Sequence, residues 1–251
     1  MQNTSKELTF STWNPVTGCS KISPGCAHCY AERIALRLRD QGQRRYANGF
    51  RVTLHPEALR EPLHWRKPRM ILTCSMSDLF HKDVPLTFIR QVFAVMAHAE
   101  QHTFMALTKR ARRMAECAPH LPTNTQQWPR NVWAGVTVDT REHIERIEHL
   151  KSSPAPVKFV TFEPLLEYIP EIDLDGIDWI IVGGETGHKA RPMNADWVRS
   201  LRDMANEQGV PFLFKQWGGG PATSGGRTLD GRIWNERPEI TSREQLSLFG
   251  T

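Results

Sequence analysis

Short apolar runs alternate with longer amphipathic stretches along this chain, and the period of each stretch sets what it forms. Leu8 to Asn14 (LTFSTWN), Arg69 to Asp78 (RMILTCSMSD) and Thr103 to Thr108 (TFMALT) predict strands, as do Asn131 to Asp139 (NVWAGVTVD) and Lys158 to Glu163 (KFVTFE). Trp179 to Glu185 (WIIVGGE) and Pro211 to Trp217 (PFLFKQW) bring the number to seven. Between the runs, apolar positions return every three or four residues. Ile34, Ala35 and Leu38 predict a helix over 27–40, Phe88, Val92, Phe93 and Met96 one over 86–101, and Trp197, Leu201 and Met204 one over 194–208. A basic helix over 109–117 and a helix over 141–150 capped by Thr140 occupy two further gaps. Residues 41–67 are polar, basic and broken by Pro56 and Pro62, so they read as a long connection with at most a short helix. After Glu163 the helical signal is weak until Asn194.

This alternation argues for parallel strands joined by crossover helices. The expected fold is α/β, a partial TIM-like barrel of about six to seven parallel strands. Each run also ends in polar or ionisable residues: Asn14; Ser75, Ser77 and Asp78; Thr108 and Lys109; Thr137 and Asp139; Glu163; Glu185; Lys215 and Gln216. In such barrels the C-terminal strand ends converge on one mouth, where the chemistry sits. Residues 1–217 are therefore expected to form the barrel, with one active site. Residues 218–251 open with GGG, carry SGG at Ser224 to Gly226 and have Trp234 as anchor, and are expected to pack on the barrel as a strap.

Composition adds little to this and removes some alternatives. The 251 residues are 39% hydrophobic and 24% charged, as in ordinary folded proteins. No apolar run has the length of a membrane span and MQNTSKELTF has no apolar signal core, so the expectation is a cytoplasmic protein. The net charge of +5 suits an anionic partner such as nucleic acid. Arginine gathers at Arg33, Arg37, Arg39, Arg44 and Arg45, and again at Lys109, Arg110, Arg112 and Arg113, as either a phosphate-contacting surface or solvated helix faces.

Cys19, Cys26 and Cys29 crowd into GCSKISPGCAHCYAE directly after the first strand. In a reducing compartment such a cluster points to metal rather than disulfides. Pro24 and Gly25 bend the chain so that all three thiols can reach one centre. Structural zinc takes four protein ligands, whereas a cubane iron-sulfur cluster held by three cysteines keeps one iron open. His28 could complete a Cys3His zinc site, which leaves a zinc-stabilised, non-catalytic nucleic-acid-binding protein as the competing reading.

The three-cysteine loop ending CAHCY, in a partial barrel, resembles the radical SAM superfamily. The wider set STWNPVTGCSKISPGCAHCYA, SMSDLFH, LTKRARRM, NVWAGVTV, FEPLL, VGGETG and FKQWG, over about residues 10 to 235, resembles a phage and prophage family of three-cysteine proteins of unassigned substrate. The superfamily spaces its cysteines by three residues and then two; here the spacing is six and then two, a three-residue insertion. The resemblance implies that Cys19, Cys26 and Cys29 hold a 4Fe-4S cluster whose open iron binds S-adenosylmethionine. Reductive cleavage would give methionine and a deoxyadenosyl radical, with an external electron donor such as flavodoxin or ferredoxin, in a bacterial host if the chain is phage-encoded.

Other residues follow from their places at strand ends. Ser75, Ser77 and Asp78 stand where the superfamily binds the methionine amine, and Thr137 and Asp139 where it contacts ribose. Asp139 could equally cap the next helix. Gly183, Gly184 and Glu185 spell the superfamily's amine motif after a much later strand, and read as a glycine turn contacting a ligand, with Glu185 as a ligand contact or a loop acid. Glu163 needs a cationic partner, either Lys109 or Lys215, and the pair serves the cofactor or is a plain ion pair. Tyr30, Trp13, Trp133 and Trp217 could stack on adenine or a substrate base, or simply pack. DNA, RNA or a nucleotide is the expected substrate, for base modification or repair of the photoproduct-lyase type; Lys109, Lys215 and Trp217 are candidates to bind it. No catalytic acid or base is assigned.

Overall fold

The computed structural model describes residues 10–121, 128–220 and 225–238. The start of the first predicted strand and Ser224 of the strap lie outside these. Among the described residues, seven strands form one sheet: β1 (Ser11–Trp13), β2 (Met70–Thr73), β3 (Thr103–Thr108), β4 (Val132–Thr137), β5 (Lys158–Phe162), β6 (Trp179–Gly183) and β7 (Phe212–Gln216). They pair in chain order and every pairing is parallel. The sheet curls into a half-barrel, as the alternation of strand and helix signals predicts. Helices α1 (Tyr30–Asp40), α2 (Leu86–His98), α3 (Ala111–Cys117), α4 (Glu145–Lys151) and α5 (Ala195–Glu207) make the crossovers. Between β5 and β6 the connection is not helical, and Ile169, Ile172, Leu174 and Ile177 bury themselves from irregular backbone.

Side chains alternate across the strands and so build two cores. Facing the helices, Phe104, Val132, Ala134, Val136, Val160 and Phe162 pack with Phe88, Val92, Phe93 and Met96 of α2, Ile147 and Leu150 of α4 and Leu201 of α5. Met105, Trp133, Phe159, Trp179, Ile181 and Leu213 fill the inner face. Trp13 and Trp133 are fully buried, so both pack rather than stack on a ligand.

Several boundaries differ from those the pattern predicts. β2 stops at Thr73, because Cys74 takes a φ of 61° and turns the chain into a loop held by Asn14, whose Oδ1 accepts from Ser75 Oγ and Met76 N. The helix over 141–150 begins as a 3-10 turn, Arg141–His143. Thr140 does not cap it by side chain, since its Oγ1 is bonded to His143 Nδ1 at 2.8 Å. Inside the long connection, Thr53–Leu54 pairs antiparallel with Val16–Thr17. Residues 225–238 run along the open edge of β7, where Phe214 N donates to Trp234 O and Glu236 N to Phe212 O. Among the described residues no helix is long and apolar enough to cross a membrane.

Candidate active site

Every second residue of a strand points inward, and here the inward positions change character along each strand. On β3 and just beyond it the series is Met105, Leu107 and Lys109; on β5 it is Phe159, Thr161 and Glu163; on β7 it is Leu213 and Lys215. The apolar members form a floor and the polar members a rim. Above the floor lies a cavity of about 260 Å³, bounded on one side by the strand ends and on the other by Cys19, Cys26 and Cys29.

The cysteine loop is tied down at three points. Asp139, fully buried beyond β4, accepts at Oδ2 from Gly25 N at 2.7 Å, from Lys109 Nζ at 2.9 Å and from the hydroxyl of Ser23. Arg110, just before α3, donates to Ser20 O at 2.9 Å, to Ser20 Oγ at 3.1 Å and to Cys19 Sγ at 3.4 Å. Asp78 Oδ2 holds the same guanidinium at 2.8 Å. Arg191 Nη2 donates both to Pro24 O at 3.1 Å and to Glu185 Oε1, and its Nε donates to Glu185 Oε2, which also accepts from His28 Nδ1 at 3.1 Å. Gly25 has to be glycine for this, because a Cβ there would fall on Asp139 Oδ2 and against Lys109 Nζ.

These contacts set the charge states. Burial and the nearby Asp78 carboxylate push the Cys19 thiol up to about 11, against the pull of Arg110. Burial acts most strongly on Cys26 and would raise it, but the Lys109 ammonium together with hydrogen bonds from Ile22 and Ser23 holds that thiol below its ordinary value. Burial opposes the charge on Glu185 as well; hydrogen bonds from Arg191 and His28 nevertheless hold its carboxyl down to about 2. Cys74, buried beneath the same cavity, is raised to about 12 by burial.

All three thiols of the loop are free and partly exposed, and they share one cavity wall. Among the described residues no three His, Cys, Asp or Glu side chains close on a single ion's position. His28, the candidate fourth zinc ligand, is turned to Glu185. A donor set of three soft thiols beside an open cavity fits a cluster that keeps one coordination position for an outside ligand.

A family model described as "Protein of unknown function (DUF5131)" matches residues 3–238. The chain belongs to that family. No curated protein matches it in sequence. Among solved structures, a cysteine-to-serine mutant of spore photoproduct lyase is similar to it at 9% identity with a TM-score of 0.51, covering 83% of this chain and 76% of the other. A tyrosine-to-phenylalanine mutant of the same enzyme gives 7% identity, a TM-score of 0.50 and coverage of 80% and 75%. At these identities the likeness is one of fold.

In this family member the cavity brings together most residues singled out from the sequence. Cys19, Cys26, Cys29, Tyr30, Ser75, Ser77, Asp78, Lys109, Thr137, Glu163, Gly184, Glu185 and Lys215 line it. Asp139, Gly183 and Trp217 do not. Asp139 is enclosed beneath the cysteine loop, Gly183 sits against Gln216 and Glu163, and Trp217 packs on Phe214 at 4.8 Å between ring centres. Lys215, not Lys109, is the partner of Glu163, with Nζ at 2.8 and 2.9 Å from its two oxygens. Asp78 already receives Phe80 N, Thr108 Oγ1, Lys109 N and Arg110. Ser75 and Ser77 donate to Asn14 Oδ1 and Val16 O, and Tyr30 donates to Ser75 O at 2.6 Å.

Sequence reasoning missed Thr161, whose hydroxyl is 2.9 Å from that of Thr137, and the anchoring roles of Ser23, Arg110 and Arg191. Thr161 could have been found by extending the inward alternation of β5 one step below Glu163. Arg110 sat in a run read as surface. Of that run Arg112 is 81% exposed, whereas Arg110 turns under the loop and Arg113 donates to Val84 O.

Proposed function

We propose that this protein is a radical SAM-type enzyme: Cys19, Cys26 and Cys29 hold a 4Fe-4S cluster, S-adenosylmethionine enters the adjoining cavity, and a nucleic acid or nucleotide is the substrate. The observation that carries the reading is the meeting of three free thiols with the polar ends of six strands, β2 to β7, around one cavity. When bound, such a cluster supplies the electron that splits the sulfonium of S-adenosylmethionine. The chain's own residues bind, orient and exclude water. Thr137, Thr161 and the Glu163–Lys215 pair offer hydroxyl, carboxylate and ammonium groups to a polar ligand above the apolar floor. Ile22 and Tyr30, 41% and 44% exposed, stand at the rim as surfaces on which a planar ring can lie. The net charge of +5 supports an anionic substrate, and spore photoproduct lyase, by its name, acts on a photoproduct. Base modification and lesion repair both fall within this reading. A reductant such as flavodoxin or ferredoxin would be supplied from outside.

The test is anaerobic purification with iron and sulfide analysis, followed by an assay for deoxyadenosine and methionine released from S-adenosylmethionine under strong reductant. Cys26→Ala is expected to lose iron and cleavage together. Cys117→Ala, whose thiol lies in the helix-side core, is expected to keep both. A colourless wild-type protein carrying one zinc, with no cleavage after iron reconstitution, would overturn the proposal in favour of a zinc-stabilised binding protein.

A further inference from the structure

The segment between the first two cysteines, residues 20–25, is three residues longer than the spacing of the superfamily the loop resembles. All three tie points of the loop fall within it. Ser20 is held by Arg110 after β3 and by His81 Nε2 at 2.7 Å; Ser23 and Gly25 are held by Asp139 after β4; Pro24 is held by Arg191 after β6. The extra length thus spans the mouth from β3 to β6.

Asp139 is the centre of this arrangement. A carboxylate with no solvent exposure is costly unless its charge is met. Oδ2 meets Lys109 and two donors from the loop, while His143 Nδ1 at 3.1 Å and Arg146 at 3.5 Å lie beside Oδ1. Arg146 is itself held by Thr137 O at 2.7 Å, so the acid has cations from α3's approach and from α4 whether or not the loop is in place. The loop, by contrast, has few apolar anchors: Ile22 is exposed and none of Pro24–Cys26 is buried. Its shape therefore depends on these polar ties.

We propose that Asp139 is a positioning residue: through Ser23 and Gly25 it holds the Cys19–Cys26 segment in its ligating shape before any metal arrives, and the longer spacing exists to reach it. This rests on the cysteine loop being the cluster-bearing segment. Asp139 does not line the cavity; it acts through Ser23 and Gly25 of the loop.

Hydrogen–deuterium exchange on the metal-free, full-length chain tests it, comparing wild type with Asp139→Ala, Ser23→Ala and the exposed control Arg112→Ala. Loss of a hydrogen bond to an ionised acceptor is expected to speed exchange of the Gly25 amide about tenfold or more in Asp139→Ala. Ser23→Ala removes one hydroxyl partner of Asp139 and of Lys109 but leaves both charges in place and paired with each other, and so does not endanger folding. It is expected to speed the same amide by a smaller factor, at an unchanged Tm, with β4 and β5 protected as in wild type and Arg112→Ala indistinguishable from it. Iron and sulfide retained after reconstitution are then expected to fall severalfold in both loop variants. Wild-type exchange at Gly25 in both variants would overturn the proposal. So would faster exchange throughout β4 and β5 in Asp139→Ala together with no change in Ser23→Ala. If the loop responds as expected but wild type takes up no iron, the anchoring stands and the cluster reading falls.

Discussion

Glu185 carries its charge where burial works against it. Only 5% of its side chain is exposed, and Arg191 and His28 supply the donors that keep it ionised. Its folded value of about 2 lies below the ordinary glutamate value, so it adds stability that is fully present above about pH 4.3 and is lost as pH falls through about 2. At roughly 1.4 kcal/mol per pH unit of displacement the contribution is at most about 3 kcal/mol. Glu185→Gln is expected to unfold at lower urea concentration than wild type at pH 6, with the difference closing as both are taken to pH 2.5. An equal difference at both pH values would show that Glu185 acts by shape alone. At this scale the sequence was informative about kinds of residue. Three cysteines in eleven positions single out one loop by residue type alone, whereas nothing beside Asp139 says that its carboxylate will meet Ser23 and Gly25.

Among the elements, the strands were legible because each is an apolar run of the right length, and runs buried on both faces are what a covered parallel sheet requires. Their ends were less so: β2 closes at Thr73, five residues before the expected end of its run at Asp78, since Cys74 adopts a backbone conformation that no residue pattern encodes. Within β4, Gly135 shows how closely the inner floor is fitted. The ring of Phe159 lies where a Cβ would stand, and that ring is fully buried between strands. Gly135→Ala is expected to cost about 1–3 kcal/mol by overpacking, seen as a lower urea midpoint with an unchanged slope. Stability equal to wild type would mean that the floor can repack.

For the whole molecule, an open half-barrel leaves two sheet edges, and an unpaired edge is a template for association. Residues 225–238 cover the β7 edge, where Trp234 packs edge-on against Phe212 at 5.9 Å and lies under Arg232 and Arg202. Asp230 fastens the same segment to α5 through Arg199 and Arg202. Trp234→Ala is expected to lower unfolding free energy by about 2–4 kcal/mol and to increase light scattering on warming, as the edge is uncovered. Scattering like that of wild type would show that Asp230 and the backbone bonds suffice to hold the segment.

The sequence by itself determined the order of the strands, the alternation that makes them parallel, the polar rim and the crowding of three cysteines directly after the first strand. These are local properties, written in neighbours two to four residues apart. Only the tertiary structure decided that Glu163 pairs with Lys215, that Lys109 pairs with Asp139, and that the cysteine loop is held from three strand ends. Ser23 and Asp139 are 116 positions apart and His28 and Glu185 are 157 apart. What brings such residues together is the register and curvature of the sheet, and no local period along the chain records either.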